Sequence, residues 1–384
     1  MPSSIEDVES YLVELRVPAD AEVIGQKLRQ LDAQADEAGV VEVDPATKTV
    51  TTQFAMSDPS KSVNPWSRNH TPGGSSSGSA VAVASGHVPM AIGTQTGGSV
   101  NRPAAYNGVT GYKPTYGLVS RRGVYPVSWT LDTVGWMCRS VLDAAVLLDV
   151  LQGHDPTDPS TVRGNPPVSY TSGLAEPSGS PRLGIVSGDI EMAASTEMQA
   201  HMFEVIELLR QGGQWVELFD LPISYLYSRD ANRVIQSVEA AEVHKIHFSD
   251  RPNDFAPGTR AMIETGHLVP ATAYVQAQRL RRQFRRDMDE SMATLDALIM
   301  PGAIGPAPDD LSTTGDPGFY SPWTTAGLPT ISLPTGISRN GLPIGVQLIG
   351  RGHDDLRLLQ AARWVEERIG YKPAVPLLAQ ASSA

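Results

Sequence analysis

The sequence predicts an α/β fold in which helices surround a central mixed β-sheet, and three observations predict it. Residues 182–219 read as a strand ("RLGIVSG", 182–188), a helix (196–211) ended by Gly212–Gly213 and a second strand ("QWVELF", 214–219), the order of a parallel βαβ unit. The C-terminal part supplies two more strands, "TISLPTGI" and "PIGVQLIG", and a final helix over 354–368. The 384 residues are 41% hydrophobic, enough for a sizeable core and an argument against disorder over most of the length.

The other elements follow in chain order. A helix is predicted over 4–16, with Ser4 as N-cap and Ile5, Val8, Leu12 and Leu15 on one apolar face. A second helix is expected over 20–35 and a short strand at 40–43. "SAVAVASG" (79–86) reads as a tightly packed buried helix, and "VPMAIGT" (88–94) as a buried strand. "RSVLDAAVLLDVLQG" (139–153) reads as a helix capped by Ser140, with Asp143 at N3 and Gly153 as its stop. The Pro-, Gly- and Ser-rich stretch 154–181 reads as a surface loop, and 270–296 as one long Arg-rich helix. The expected organisation is an N-terminal helical segment (1–45), a main domain (46–375) with a peripheral region over 154–300, and a C-terminal tail (376–384).

Composition narrows the function classes. A formal charge of −12 argues against a nucleic-acid partner. Cys138 is the one cysteine, which excludes a disulfide framework and a cysteine-rich zinc site. The start "MPSSIEDVES" has no apolar secretory region, and no apolar run is long enough to span a membrane. The expectation is a cytoplasmic protein with no membrane partner.

Two glycine–serine turns, "TPGGSSSGSA" (71–80) and "GTQTGGSVNRP" (93–103), raise the question of chemistry, because glycine is costly to fix and bares backbone amides. Phosphate binding needs a Lys-Ser/Thr after the glycines or a G-x-G-x-x-G, and the second turn has neither. "GSSSG" (74–78) matches the G-x-S-x-G elbow with Ser76 as nucleophile, but "NPWSRNHTPG" before it is no strand. A third reading makes Ser99 a nucleophile without histidine, with the amides of Thr96, Gly97, Gly98 and Ser99 as an oxyanion hole and the upstream serines as a proton relay. The bland alternative is a pair of tight turns.

Joined to "LDTVGWMCRSVLDAAVLLDVL" (131–151) and "TTAGLPTISLPTG…GLPIGVQLIG" (324–350), the two turns resemble the amidase signature family from about residue 46 to 370. The resemblance implies a Ser–cis-Ser–Lys triad that hydrolyses a small-molecule carboxylic amide to the acid plus ammonia or an amine, through a serine acyl-enzyme and with no metal or cofactor. Ser99 matches the nucleophile, and Ser75, first after Pro72-Gly73-Gly74, matches the serine that follows a cis peptide bond. Thr96, Gly97 and Gly98 match the oxyanion hole, with Ser76, Gln95 and Arg102 as the supporting loop. Gln95 stands where many members carry Asp, and Arg102 falls three residues after Ser99, with Asn101 at the more usual arginine position.

The same resemblance places the lysine in a "GVPxxVKD"-like strand far upstream of Ser75. Counting back from Ser75 lands at or before Met1, and no such motif occurs. The six lysines are Lys27, Lys48, Lys61, Lys113, Lys245 and Lys372; Lys48 fits a different family stretch and Lys113 a structural position. The expectation is that the lysine-bearing segment is missing or replaced. That leaves two alternatives, an amidase with another base or a catalytically impaired scaffold that binds a ligand. The apolar sheet surface so exposed suits a homodimer contact. A role within an amidotransferase is also compatible with the resemblance. His244 and His247 have i, i+3 spacing but no evident third ligand, so a surface helix is expected there; "RLRRQFRR" (279–286) is expected to be a solvated face. Residues 154–181 and 224–270 are the expected pocket walls.

Overall fold

The computed structural model describes residues 62–163, 168–175, 179–188, 193–211 and 216–372, together with 42–44, 49–51 and 376; the helices expected over 4–16 and 20–35 lie outside them. Strands β1 (Glu42–Asp44) and β2 (Thr49–Thr51) pair antiparallel by themselves. The main sheet takes β3 (Ala91–Gln95), β4 (Thr110–Lys113), β5 (Thr133–Cys138), β6 (Leu183–Val186) and β7 (Val216–Phe219). It is completed by β8 (Ala297–Pro301), β9 (Thr330–Ile337) and β10 (Pro343–Ile349). The order across it is β3–β5–β4–β9–β10–β8–β6–β7. Neighbours are antiparallel from β3 through β8, and β8, β6 and β7 run parallel, so the sheet is mixed as expected.

Side chains alternate across the strands and build a core on each face. On β8, Ala297 and Ile299 join Tyr112, Trp136 and Leu348 beneath α3 (Val141–Leu151), α5 (Thr196–Gln211) and α10 (Asp355–Ile369). Leu298 and Met300 point the other way, to Phe284 and Met288 of α8 (Ala271–Ser291) and Trp323 of α9 (Ser321–Ala326). Met137 shares that second side with Ala80 and Val83 of α1 (Ser77–Ala84) and Ala104 of α2 (Asn101–Asn107). Among the described residues the remaining α-helices are α4 (Tyr170–Ala175), α6 (Ser228–Asp250) and α7 (Pro257–Leu268).

Local chemistry explains the elements that match. Ser140 caps α3 by accepting the Asp143 amide at 3.1 Å. The β6–α5–β7 unit is parallel, register Leu183↔Val216. Four expectations need correction. β3 starts at Ala91 and lies at one end of the described sheet with Ile92 52% exposed, so its apolar run is an edge and not a buried strand. The long Arg-rich helix ends at Ser291, because Asp296 accepts the Arg182 amide and commits the chain to β8 from Ala297. The 154–181 stretch holds α4, whose first two amides, those of Tyr170 and Thr171, are capped by Asp149 of α3. His244 is buried between Tyr125 and Phe255, whereas His247 is exposed, so the surface helix expected there holds for one face of α6 and not for His244.

Candidate active site

The two glycine–serine turns meet on β3. The Ser76 amide donates to the Ser99 carbonyl at 3.2 Å. Gly93 makes room for this approach: a Cβ there would come within 2.6 Å of Ser76 Oγ. Ser76 Oγ bonds the Thr94 carbonyl (3.4 Å) and amide (3.3 Å), so this hydroxyl braces the two turns together. The Gly74–Ser75 peptide bond is cis. Ser75 and Ser99 are both partly open, whereas Gly73, Gly74, Ser76, Ser77, the 95–98 run and Val100 are buried. Ser75 and Ser99 thus each interrupt a buried run.

Arg102 ties the first turn to the second. Its Nε and Nη2 both donate to the Gly74 carbonyl (3.2 and 2.7 Å), and Nη1 and Nη2 reach Gly315 O (2.7 Å) and Thr314 Oγ1 (3.0 Å). Burial lowers its pKa, against the opposing influence of Tyr106, Tyr320 and Asp316. Asn101, at the position expected for arginine, instead donates to Gly111 O and accepts from Thr330 Oγ1. Gln95 caps the start of α2: its Oε1 accepts the amides of Val100 (2.9 Å) and Asn101 (3.0 Å), and its Nε2 donates to Thr324 Oγ1 (3.0 Å).

The 96–99 turn is held from behind. The Thr96 carbonyl accepts Asn232 Nδ2 (3.1 Å), the Gly97 carbonyl accepts Thr324 Oγ1 (2.7 Å) and the Gly98 carbonyl accepts the Arg102 amide (2.9 Å). Thr96 Oγ1 donates to Asp132 (2.5 Å), which also accepts the amides of Val127 and Ser128; burial raises the Asp132 pKa. Among the described residues, the amides of Gly97, Gly98 and Ser99 donate to no protein acceptor. Gly98 packs closely on Tyr320, where a Cβ would fall 2.8 Å from a ring carbon; Gly97 has ordinary space, its nearest neighbour being Pro317 at 3.7 Å.

Elements distant in sequence surround this loop. Glu239 of α6 accepts from Ser128 Oγ, Thr130 Oγ1 (2.8 Å) and Tyr274 of α8 (2.7 Å). Arg281, within the run read as a solvated face, donates to Thr130 O (2.6 Å) and Thr325 O (2.9 Å); Arg279, Arg282 and Arg286 are exposed. A cleft of about 460 Å³ lies beside Asp132, lined by Tyr116, Trp129, Thr157 and Ser160 among others. Among the described residues no lysine or histidine hydrogen-bonds to Ser75. Lys113 is buried on the carbonyls of Pro114 and Leu328, Lys245 pairs with Glu242, and Lys372 is exposed; Lys27, Lys48 and Lys61 lie outside the described residues. Nor do these residues include a cluster of three metal-binding side chains, or a helix long and apolar enough to cross a membrane.

Every site residue expected from sequence thus lies in one neighbourhood, but Asn232, Thr324, Asp132, Glu239 and Arg281 carried no individual signal. "LDT" and "TTAGLP" marked the segments of Asp132 and Thr324 without marking their roles. The chain is similar to a glutamyl-tRNA(Gln) amidotransferase component of Halothermothrix orenii, 31% identical over 367 residues and covering 86% of this chain and 76% of that one. The corresponding amidotransferase component of a Synechococcus species is 35% identical over 354 residues, 82% and 71% of the two chains. Native peptide amidase from Stenotrophomonas maltophilia superposes with a TM-score of 0.68 at 30% identity, covering 82% of this chain and 69% of that one. A substrate complex of 6-aminohexanoate cyclic dimer hydrolase gives a TM-score of 0.72 at 25% identity, covering 89% and 75%. With the amidase model matching residues 18–359, this chain belongs to the amidase family.

Proposed function

We propose that the chain cleaves a carboxylic amide through an acyl-enzyme on Ser99. The observation that carries this reading is the 96–99 turn, which leaves three consecutive amides without a protein acceptor beside a partly open serine. Ser99 Oγ attacks the amide carbon; Ser75, which precedes the Ser76 amide bonded to the Ser99 carbonyl, takes the Ser99 proton as it passes its own hydroxyl proton to the departing nitrogen. The negative charge that develops on the carbonyl oxygen is met by the amides of Gly97, Gly98 and Ser99, each such donor being worth about 10²–10³-fold in rate. Protonation of the nitrogen releases ammonia or an amine, and water attacking the ester by the same route frees the acid. Transfer of the released ammonia to a partner protein is a second reading, supported by the names of the amidotransferase relatives.

The test is ammonia release from a panel of aliphatic and aromatic amides, with Ser99→Ala alongside. The expected result is Ser99-dependent release, lowered by about 10³-fold or more in the variant. A folded wild-type protein that releases no more ammonia than Ser99→Ala would overturn the reading and return attention to a ligand-binding scaffold.

A further inference from the structure

The carbonyls behind the 96–99 turn are held by groups from two remote helices. A trans peptide points its C=O and N–H in opposite directions, so fixing one fixes the other. The peptide joining Thr96 to Gly97 presents its carbonyl to Asn232 Nδ2, and the next presents its carbonyl to Thr324 Oγ1. Both carbonyls are therefore pinned on the protein side, and the amides of Gly97 and Gly98 face away from it. Glycine at both positions makes a peptide flip sterically cheap, so without a tether the loop has little reason of its own to keep this orientation. Asn232 is 2% exposed and Thr324 1%, so water does not compete for either bond.

We propose that Asn232 and Thr324 are positioning residues that aim the Gly97 and Gly98 amides at the substrate oxyanion, making α6 and α9 part of the catalytic apparatus. The proposal rests on the amide-cleaving reading for its kinetic effect, and on the peptide planes alone for its structural one. Two independent tethers, from different elements, hold two successive planes. Asn232 matters through its N–H donor, so aspartate, of the same shape and without a donor, breaks the bond. Thr324 matters through its hydroxyl, so serine keeps the bond and valine removes it.

The experiment combines steady-state kinetics with crystal structures of Asn232→Asp, Thr324→Val and Thr324→Ser, each first shown by thermal unfolding to be folded. Asn232→Asp and Thr324→Val are expected to lower kcat about 10²-fold with KM within about threefold, while Thr324→Ser stays within about threefold of wild type. In the structures, the 96–97 peptide of Asn232→Asp and the 97–98 peptide of Thr324→Val turn away from the site. Equal losses in Thr324→Ser and Thr324→Val, or unmoved peptide planes in both disrupting variants, would overturn the proposal. If the wild type shows no Ser99-dependent hydrolysis, the catalytic reading falls, and the peptide planes still decide whether these residues aim the amides.

Discussion

The serine turns and the far end of β4 are both joined by a buried cation that donates to backbone carbonyls, and the two joints differ in what the cation can do. Arg102 spreads three nitrogens over Gly74 O, Gly315 O and Thr314 Oγ1. Lys113 points one ammonium at Pro114 O and Leu328 O. Burial depresses both pKa values, and it brings the lysine down to about 7 in spite of Asp355 nearby. A guanidinium stays charged in any protein and holds a planar fork; an amine is a point donor that loses its proton readily when buried. The site uses the cation that cannot be switched off, and the scaffold uses the one that can.

The largest effect should come from asking a lysine to do the work of the arginine. Arg102→Lys keeps the charge but cannot span Gly74 and the 314–315 segment together. The expected outcome is a loss of about 10³-fold in kcat/KM and about 3 kcal/mol in stability, since hydrogen bonds from charged donors are each worth about 1.5–3 kcal/mol. Denaturant titration and amide hydrolysis measure the two. A variant with normal activity would mean that the Gly74 carbonyl needs only a positive charge, and the contrast between the joints would collapse.

How much of this was legible in the sequence follows the range of the interactions. Ser140 and Asp143 are three residues apart, and the α3 cap could be read directly. The β6–α5–β7 unit is likewise local, and its ends were correct to within two residues. The glycine–serine turns were visible because their composition is unusual at short range. The tethers were not: Asn232 lies 136 residues from Thr96, and Thr324 lies 227 from Gly97. Nothing in a helix that begins "SRDANRV" distinguishes an asparagine that holds a carbonyl from one that meets solvent. The edge position of β3 was hidden for a related reason. Ala91 and Ile92 are apolar, and strand order depends on partners that the local pattern does not name.

A smaller effect, specific to pH, should separate Lys113 from Arg102. Its folded pKa lies below the unfolded value, so between about 7 and about 10.4 the unfolded chain holds the extra proton. Stability from this group therefore rises with pH across that window, and the cost of burying the charge is complete below about 7. The wild type should lose about 3 kcal/mol between pH 9.5 and pH 7 that Lys113→Met does not lose. Measuring both proteins by urea unfolding at the two pH values cancels the other titrating groups. Parallel pH profiles would show that Lys113 keeps its proton throughout and resembles Arg102 after all.

The smallest effect concerns a neutral group that does a related job, Gln95. Thr324 Oγ1 has a single proton, and its 2.7 Å bond to the Gly97 carbonyl uses it. The hydroxyl can also accept, and Gln95 Nε2 occupies that role at 3.0 Å, which fixes the direction of the proton. Gln95→Glu keeps an oxygen for the Val100 and Asn101 amides and adds a charge that suits a helix N-terminus, so stability should stay within about 1 kcal/mol. It removes the donor, however. A carboxylate facing Thr324 competes with the Gly97 carbonyl for the hydroxyl proton, so the tether is weakened, where Thr324→Val removes it, while the rest of the site is untouched. The expected outcome is about a tenfold fall in kcat with KM unchanged, about 1.4 kcal/mol of transition-state stabilisation. An unaltered kcat would mean that Thr324 keeps its proton on Gly97 without help. The orientation of the turn would then be set by Thr324 and Asn232 alone, with Gln95 serving only as the cap of α2.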